Sequence, residues 1–220
     1  MSIKTPMTDK RAVIIAAGDL TVSKIPVTEN DYVIAVDGGL LYCEMLGITP
    51  NLVIGDFDSM DENTIKRLSE FPKEKIMALP REKDDTDMMA ALRYALEIGI
   101  GEFRIYAASG GRLSHTIANI QCLKYLKEQG ATGYLIDGNQ MVFLAQNEEI
   151  SFLESLEGYL SVFSLAEKAE GVTIKNMKYT LTDAVLTNAY PIGISKEFIG
   201  KKASVCVKNG TLLIIVEYAA

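Results

Sequence analysis

A change of periodicity near residue 140 constrains this chain more than any single motif. Before it, short apolar runs alternate with longer amphipathic ones. The runs RAVIIAAG, DYVIAVDGG, NLVIGDFDS, EKIMALP, EFRIYAASGG and TGYLIDG join β-branched residues to an end in Gly, Pro, Asp or Ser, the pattern of strands buried on both faces. Between them the spacing predicts helices over roughly 40–46, 62–70, 86–98 and 114–129. That alternation gives a parallel sheet covered by helices on both faces.

After about residue 140 the helical period stops. MVFLAQ, EISFL, YLSVFSLA, GVTIKNMKYTLTD, AVLTNAY and KKASVCVKNGTLLIIVEY read as short strands broken by Gly, Asn and Pro. Asn209-Gly210 between two apolar runs predicts a tight hairpin. The expected organisation is an α/β domain over 1–143 and an all-β domain over 144–220, with no repeat and no low-complexity linker between them.

Composition narrows the function. With 22 Lys and Arg against 29 Asp and Glu, the net charge is −7, and no basic run exceeds two residues. Duplex nucleic acid is a poor partner for such a chain, since phosphate neutralisation dominates that binding. Three widely separated cysteines, Cys43, Cys122 and Cys206, lack the spacing of a zinc site or a disulfide framework and read as buried thiols. The apolar run AVIIAAG is too short for a membrane span or a signal segment, so a cytoplasmic protein is expected.

Ligands of open α/β sheets bind beyond the carboxyl ends of the strands, which makes those ends the place to look for chemistry. The second predicted strand ends in Asp37, Gly38 and Gly39; the third ends in GDFDS, with Asp56 and Asp58 expected on one side of an extended chain and Phe57 on the other. Lys83, Asp84, Asp85 and Asp87 open a helix, and Gly110, Gly111, Arg112 and His115 open another. Carboxylates this close raise one another's proton affinity unless a cation joins them, and Mg²⁺ favours a few carboxylates together with phosphate oxygens. A glycine turn at a helix start, followed by Arg, suits an anion. Acids and glycine turn together point to a metal and a polyphosphate. A calcium loop beginning at Asp56 fails, because its sixth position is Asp61 and its twelfth Arg67.

The ordered set DGG, GDFDS, KDDTD and GGRLSHTIANI, followed by a β-rich tail containing KYTL and GISKE, resembles the thiamine pyrophosphokinases over nearly the whole chain. The resemblance implies a Rossmann-like N-terminal domain, a C-terminal β-sandwich and a homodimer. It also implies transfer of a pyrophosphoryl group from ATP to the hydroxyl of thiamine with Mg²⁺, giving thiamine diphosphate and AMP. Carried over by position, Asp56, Asp58, Asp84 and Asp87 would hold the metal, with Asp37 in the same acid cluster. Gly38, Lys83, Gly110, Gly111, Arg112, His115 and Asn119 would line the ATP site, and Ser195 the thiamine pocket.

Two positions depart from the family pattern. Ser114 stands where an Asp is usual, and Lys196 stands where Ser-Asn-Glu would have its amide. Because thiamine is a cation, Lys196 is expected to turn outward or to pair with an acid such as Glu197 or one of a partner subunit. Two other readings compete. An Asp-x-Asp phosphatase would use Asp56 as nucleophile, but expects Thr or Val in place of Met60 and leaves the GGR turn and the β domain unexplained. A non-catalytic thiamine or nucleotide sensor would have lost the acids.

Overall fold

A computed structural model describes residues 8–58 and 62–219. Met60 and Asp61, on which the phosphatase and calcium-loop readings turn, lie outside the described residues. Two compact units divide the chain between Gly138 and Asn139.

The first unit runs β1 (Thr8–Ile15), β2 (Asp31–Val36), α1 (Gly39–Met45), β3 (Leu52–Gly55), α2 (Glu62–Glu70), β4 (Ile76–Ala78), α3 (Asp87–Glu97), β5 (Ile100–Tyr106), α4 (Leu113–Glu128) and β6 (Thr132–Asp137). Every pairing is parallel, in the order β6-β5-β1-β2-β3-β4. The order reverses once, between β1 and β5.

Val13, Ile15, Val33, Ala35 and Val53 alternate along the strands toward Leu40 and Cys43 of α1 and Leu68 of α2. The intervening Ile14, Ile34 and Ile54 are fully buried, each contributing about 2 kcal/mol of apolar burial. Met88, Ala91, Leu92 and Ala95 recur at helical spacing and form the buried stripe of α3, which packs on α4.

The second unit runs β7 (Gln140–Gln146), β8 (Glu149–Phe152), β9 (Gly158–Ser164), β10 (Lys168–Lys175), β11 (Leu181–Thr187), β12 (Lys196–Glu197), β13 (Ala203–Cys206) and β14 (Thr211–Tyr218). It forms two antiparallel arrays, β12-β9-β14-β7 and β11-β10-β13-β8. Phe152 of one meets the edge of Phe198, just beyond β12 of the other, with ring centroids 5.7 Å apart. The division precedes the boundary expected at 143 because all of β7 pairs with β14.

The Asn209-Gly210 hairpin does not form. The strands on either side belong to different sheets, β13 pairing with β8 and β10, and β14 with β7 and β9. Gly210, at φ 119°, turns the chain from one sheet to the other, while Asn209 exchanges backbone hydrogen bonds of 2.8 and 3.2 Å with Glu170. Cys43 and Cys122 are buried thiols as expected, whereas Cys206 is only partly covered. Among the described residues no helix is long and apolar enough to cross a membrane.

Candidate active site

The reversal of strand order leaves a crevice at the carboxyl ends of β1 and β5. A cavity of about 410 Å³ occupies it. Its floor is double: Ala16 N donates to Tyr106 O at 2.9 Å, Gly18 N to Ala107 O at 2.7 Å and Asp19 N to Ser109 O at 2.9 Å, so the two chains remain paired beyond their strands. The turn above this floor is held in left-handed backbone at Ala107 (φ 51°), Gly110 (φ 77°) and Gly111 (φ 57°). Two side chains fix it. Asn119 Nδ2, one helical turn beyond His115, donates to Ala108 O at 2.7 Å, and Ser109 Oγ donates to the Asp137 carboxylate. Arg112 caps α4, and Arg112 and His115 are exposed at the cavity wall. Ser114 is also exposed on the first turn of α4.

On the opposite side Asp37 and Asp87 line the cavity, and Asp56 stands beside them. Asp37 follows β2 at φ 49°, Asp56 follows β3, and Asp87 begins α3, whose N-cap Thr86 accepts from Met89 N at 3.1 Å. One oxygen from each of the three lies within 4.8 Å of the others. The Asp37 carboxylate rests against Gly55, where a Cβ would approach Asp37 Oδ1 to 1.9 Å. Thus DGG and GDFDS, distant in sequence, form one joint, and glycine at position 55 makes room for the acid.

Lys83 Nζ donates to Asp56 Oδ2 at 2.8 Å. It also lies 3.1 Å from Asp87 Oδ1, and among the described residues that oxygen, like Asp37 Oδ1, is buried without a well-directed hydrogen bond. Burial first, and then repulsion from Asp87 and Asp56, pushes the Asp37 carboxyl up to about 7. The hydrogen bond from Lys83 holds Asp56 below its ordinary value. Burial works against the Lys83 ammonium, yet its contacts with Asp56 and Asp87 raise it overall. A buried, unbonded oxygen within a ring of carboxylates fits a hard cation such as Mg²⁺.

The expected acids are therefore brought together only in part. Asp37, Asp56 and Asp87 converge. Asp84 is exposed outside the three, and Asp85 pairs with Arg93 of α3. Asp58 is exposed outside the three, with its backbone N donating to Asp56 Oδ1 at 3.3 Å. β3 ends at Gly55, and Phe57 takes φ 60° to pack into the core, which breaks the extended alternation expected over GDFDS. Gly38 is the N-cap residue of α1 rather than part of the cavity lining. The Ala16–Gly18 segment was not foreseen as a wall of the site. Its only sequence signal is the glycine ending RAVIIAAG, and the place of β1 at the reversal becomes visible only with the topology.

In the second unit, Ser195 is exposed at φ 53°, with its backbone N donating to Ser161 Oγ at 3.1 Å. Lys196 neither turns outward nor pairs with Glu197. It is 7% exposed and opposite Leu160 on the buried face, while Glu197 is taken by Lys178 Nζ at 2.7 Å. Strand alternation puts Lys196 on the same side as Phe198 and Glu197 on the other.

Comparison with known proteins agrees with this division of the chain. Residues 26–135, within the first unit, match the family described as thiamin pyrophosphokinase, catalytic domain, and residues 147–212, within the second, match the thiamin pyrophosphokinase vitamin B1 binding domain. The thiamine pyrophosphokinase of Bacillus subtilis (strain 168) is 29% identical over 188 residues, covering 85% of this chain and 87% of that protein. The crystal structure of thiamine pyrophosphokinase from Bacillus subtilis superposes with a TM-score of 0.85 at 26% identity, over 96% of this chain and all of the other. A thiamin pyrophosphokinase family protein from Enterococcus faecalis gives 0.81 at 28% identity with the same coverage of this chain and 100% of its own. With both of its units matched in order, the chain belongs to the thiamine pyrophosphokinase family.

Proposed function

We propose that this protein is an ATP:thiamine diphosphotransferase, which joins the hydroxyl oxygen of thiamine to the β-phosphorus of ATP, breaks the bond between the α-phosphorus side and the β-phosphorus, and releases thiamine diphosphate and AMP. The observation that carries the reading is the convergence of three carboxylates, two of which, Asp37 and Asp87, line one cavity at the strand ends together with the left-handed Gly110-Gly111 turn and Arg112. On this reading the first unit is Rossmann-like, with its nucleotide crevice at the reversal between β1 and β5. The polyphosphate lies along Gly110, Gly111 and Arg112, where backbone N–H groups and a guanidinium meet anionic oxygens.

Asp37, Asp56 and Asp87 would hold Mg²⁺, which, when bound, neutralises charge on the transferred group. The remaining work belongs to the chain. The anchored 107–111 turn orients the donor, and a rim carboxylate takes the proton leaving the hydroxyl.

Thiamine is held by the second unit near Ser195, and the active form is a homodimer in the cytoplasm, where ATP is available. Tyr159, Tyr179, Tyr190 and Ile194 of that unit are 47%, 68%, 69% and 46% exposed, large apolar side chains available for association. Incubation with thiamine, ATP and Mg²⁺, followed by chromatography, is expected to give thiamine diphosphate and AMP in equal amounts. Thiamine monophosphate with ADP, or phosphate alone, would refute the reading.

A further inference from the structure

The acid cluster contains a cation of its own. Lys83 Nζ sits 2.8 Å from Asp56 Oδ2, 3.1 Å from Asp87 Oδ1 and 3.1 Å from the carbonyl oxygen of Pro80, three oxygens around one ammonium. Its side chain is only 14% exposed. The segment carrying it is tied at both ends, by Leu79 N to Gly55 O at 2.8 Å and by the Thr86 cap of α3. The ammonium is therefore a placed group and not a passing surface lysine. One positive charge among three carboxylates leaves the cluster under-neutralised, consistent with Asp37 Oδ1 being buried without a hydrogen bond. A divalent ion drawing on the same set would compete with Lys83 for the carboxylates of Asp56 and Asp87.

We propose that Lys83 is a resident counter-cation that a divalent ion displaces from Asp56 and Asp87, so that this lysine sets the affinity and exchange of the ion as a positioning residue. The inference rests on the reading of Asp37, Asp56 and Asp87 as the cation site. It makes loading an exchange of cations: the ammonium holds the acids in place when the metal is absent and lowers the apparent affinity when it is present.

The test is titration of the nucleotide-free, full-length protein with MnCl₂ by calorimetry, for the wild type, Lys83→Met and Lys83→Arg. Lys83→Met is expected to bind Mn²⁺ at least ~10-fold more tightly, since a positive charge beside the site is gone, and Lys83→Arg to stay within about threefold of the wild type. In EDTA, Lys83→Met should melt below the wild type, and added Mn²⁺ should raise its melting temperature by more than it raises the wild type's. Where Met prevents folding, Lys83→Gln gives the same comparison with a hydrogen bond to Asp56 retained. Equal or weaker Mn²⁺ binding by the neutral variants overturns the proposal. If neither the wild type nor a folded variant binds Mn²⁺, the cation-site reading itself fails, a result distinct from equal binding by both.

Discussion

Replacing Asp37 by Asn probes the electrostatics of the cluster without changing its shape, because the amide fills the space that Gly55 leaves. In the metal-free protein the Asp37 carboxyl rises from its ordinary 3.8 to about 7. Such a shift corresponds to roughly 4 kcal/mol at most. The group keeps some contact with solvent, and screening reduces the effect to about 2 kcal/mol. The sign follows from proton binding. Below both values, folded and unfolded chains each carry the proton; between 3.8 and about 7 only the folded chain does. The contribution of Asp37 to stability therefore falls as pH rises through that window and levels off above it. Asn has no such slope. Urea unfolding in EDTA is expected to show Asp37→Asn more stable than the wild type by about 2 kcal/mol at pH 8 and nearly equal to it at about pH 3, below the ordinary carboxyl value. Adding Mg²⁺ at pH 8 should stabilise the wild type and leave the variant little changed. A difference between the two proteins that does not grow with pH in EDTA would show that burial and the neighbouring acids do not strain Asp37.

Three further outcomes are expected. Asp87→Asn should lower turnover by at least ~10²-fold without lowering the melting temperature, whereas Asp84→Asn should stay within about threefold of the wild type, because only Asp87 belongs to the converging set; equal losses in the two would return Asp84 to the site. Gly55→Ala should displace the Asp37 carboxylate and weaken Mn²⁺ binding at least ~10-fold in calorimetry, at a stability cost of about 1–3 kcal/mol in urea unfolding. Lys196→Asn should cost about 1–2 kcal/mol by removing a side chain packed on the face of Leu160 and Phe198, with the thiamine KM changed by less than about fivefold in steady-state assays.

The layout of the first unit was legible because strands buried on both faces leave unbroken apolar runs: 31–36, 52–55 and 100–106 appear as strands, and the four helices begin and end within a residue or so of the spacing. The site was legible as a neighbourhood, since every motif lies at a strand end. Which acids converge was not. Asp37 and Asp56 are joined by the packing of one carboxylate on Gly55, a contact between neighbouring strands that periodicity does not carry, and the left-handed backbone at Phe57 ends the extended alternation, so that Asp58 meets Asp56 through its backbone N, donating to Oδ1 at 3.3 Å. Lys196 and the Asn209-Gly210 turn were misread for a related reason. A local rule assigns Asn-Gly to a hairpin, and the cationic charge of thiamine argues for an outward Lys196, but the pairing of β13 and β14 with different sheets and the inward register of β12 depend on residues far away in sequence.

The backbone pairing that continues from β1 and β5 into Ala16–Asp19 and Ala107–Ser109 also bears on the thermodynamics of ligand capture. Chain that must become ordered around a ligand lowers affinity by the entropy lost in that moment. Here the cavity floor is zipped together as part of the sheet, so that loss belongs to folding. Nucleotide association at this wall should proceed with little heat-capacity change from backbone ordering, and the amide protons of Ala16, Gly18 and Asp19, which donate across this floor, should exchange slowly even before any ligand arrives.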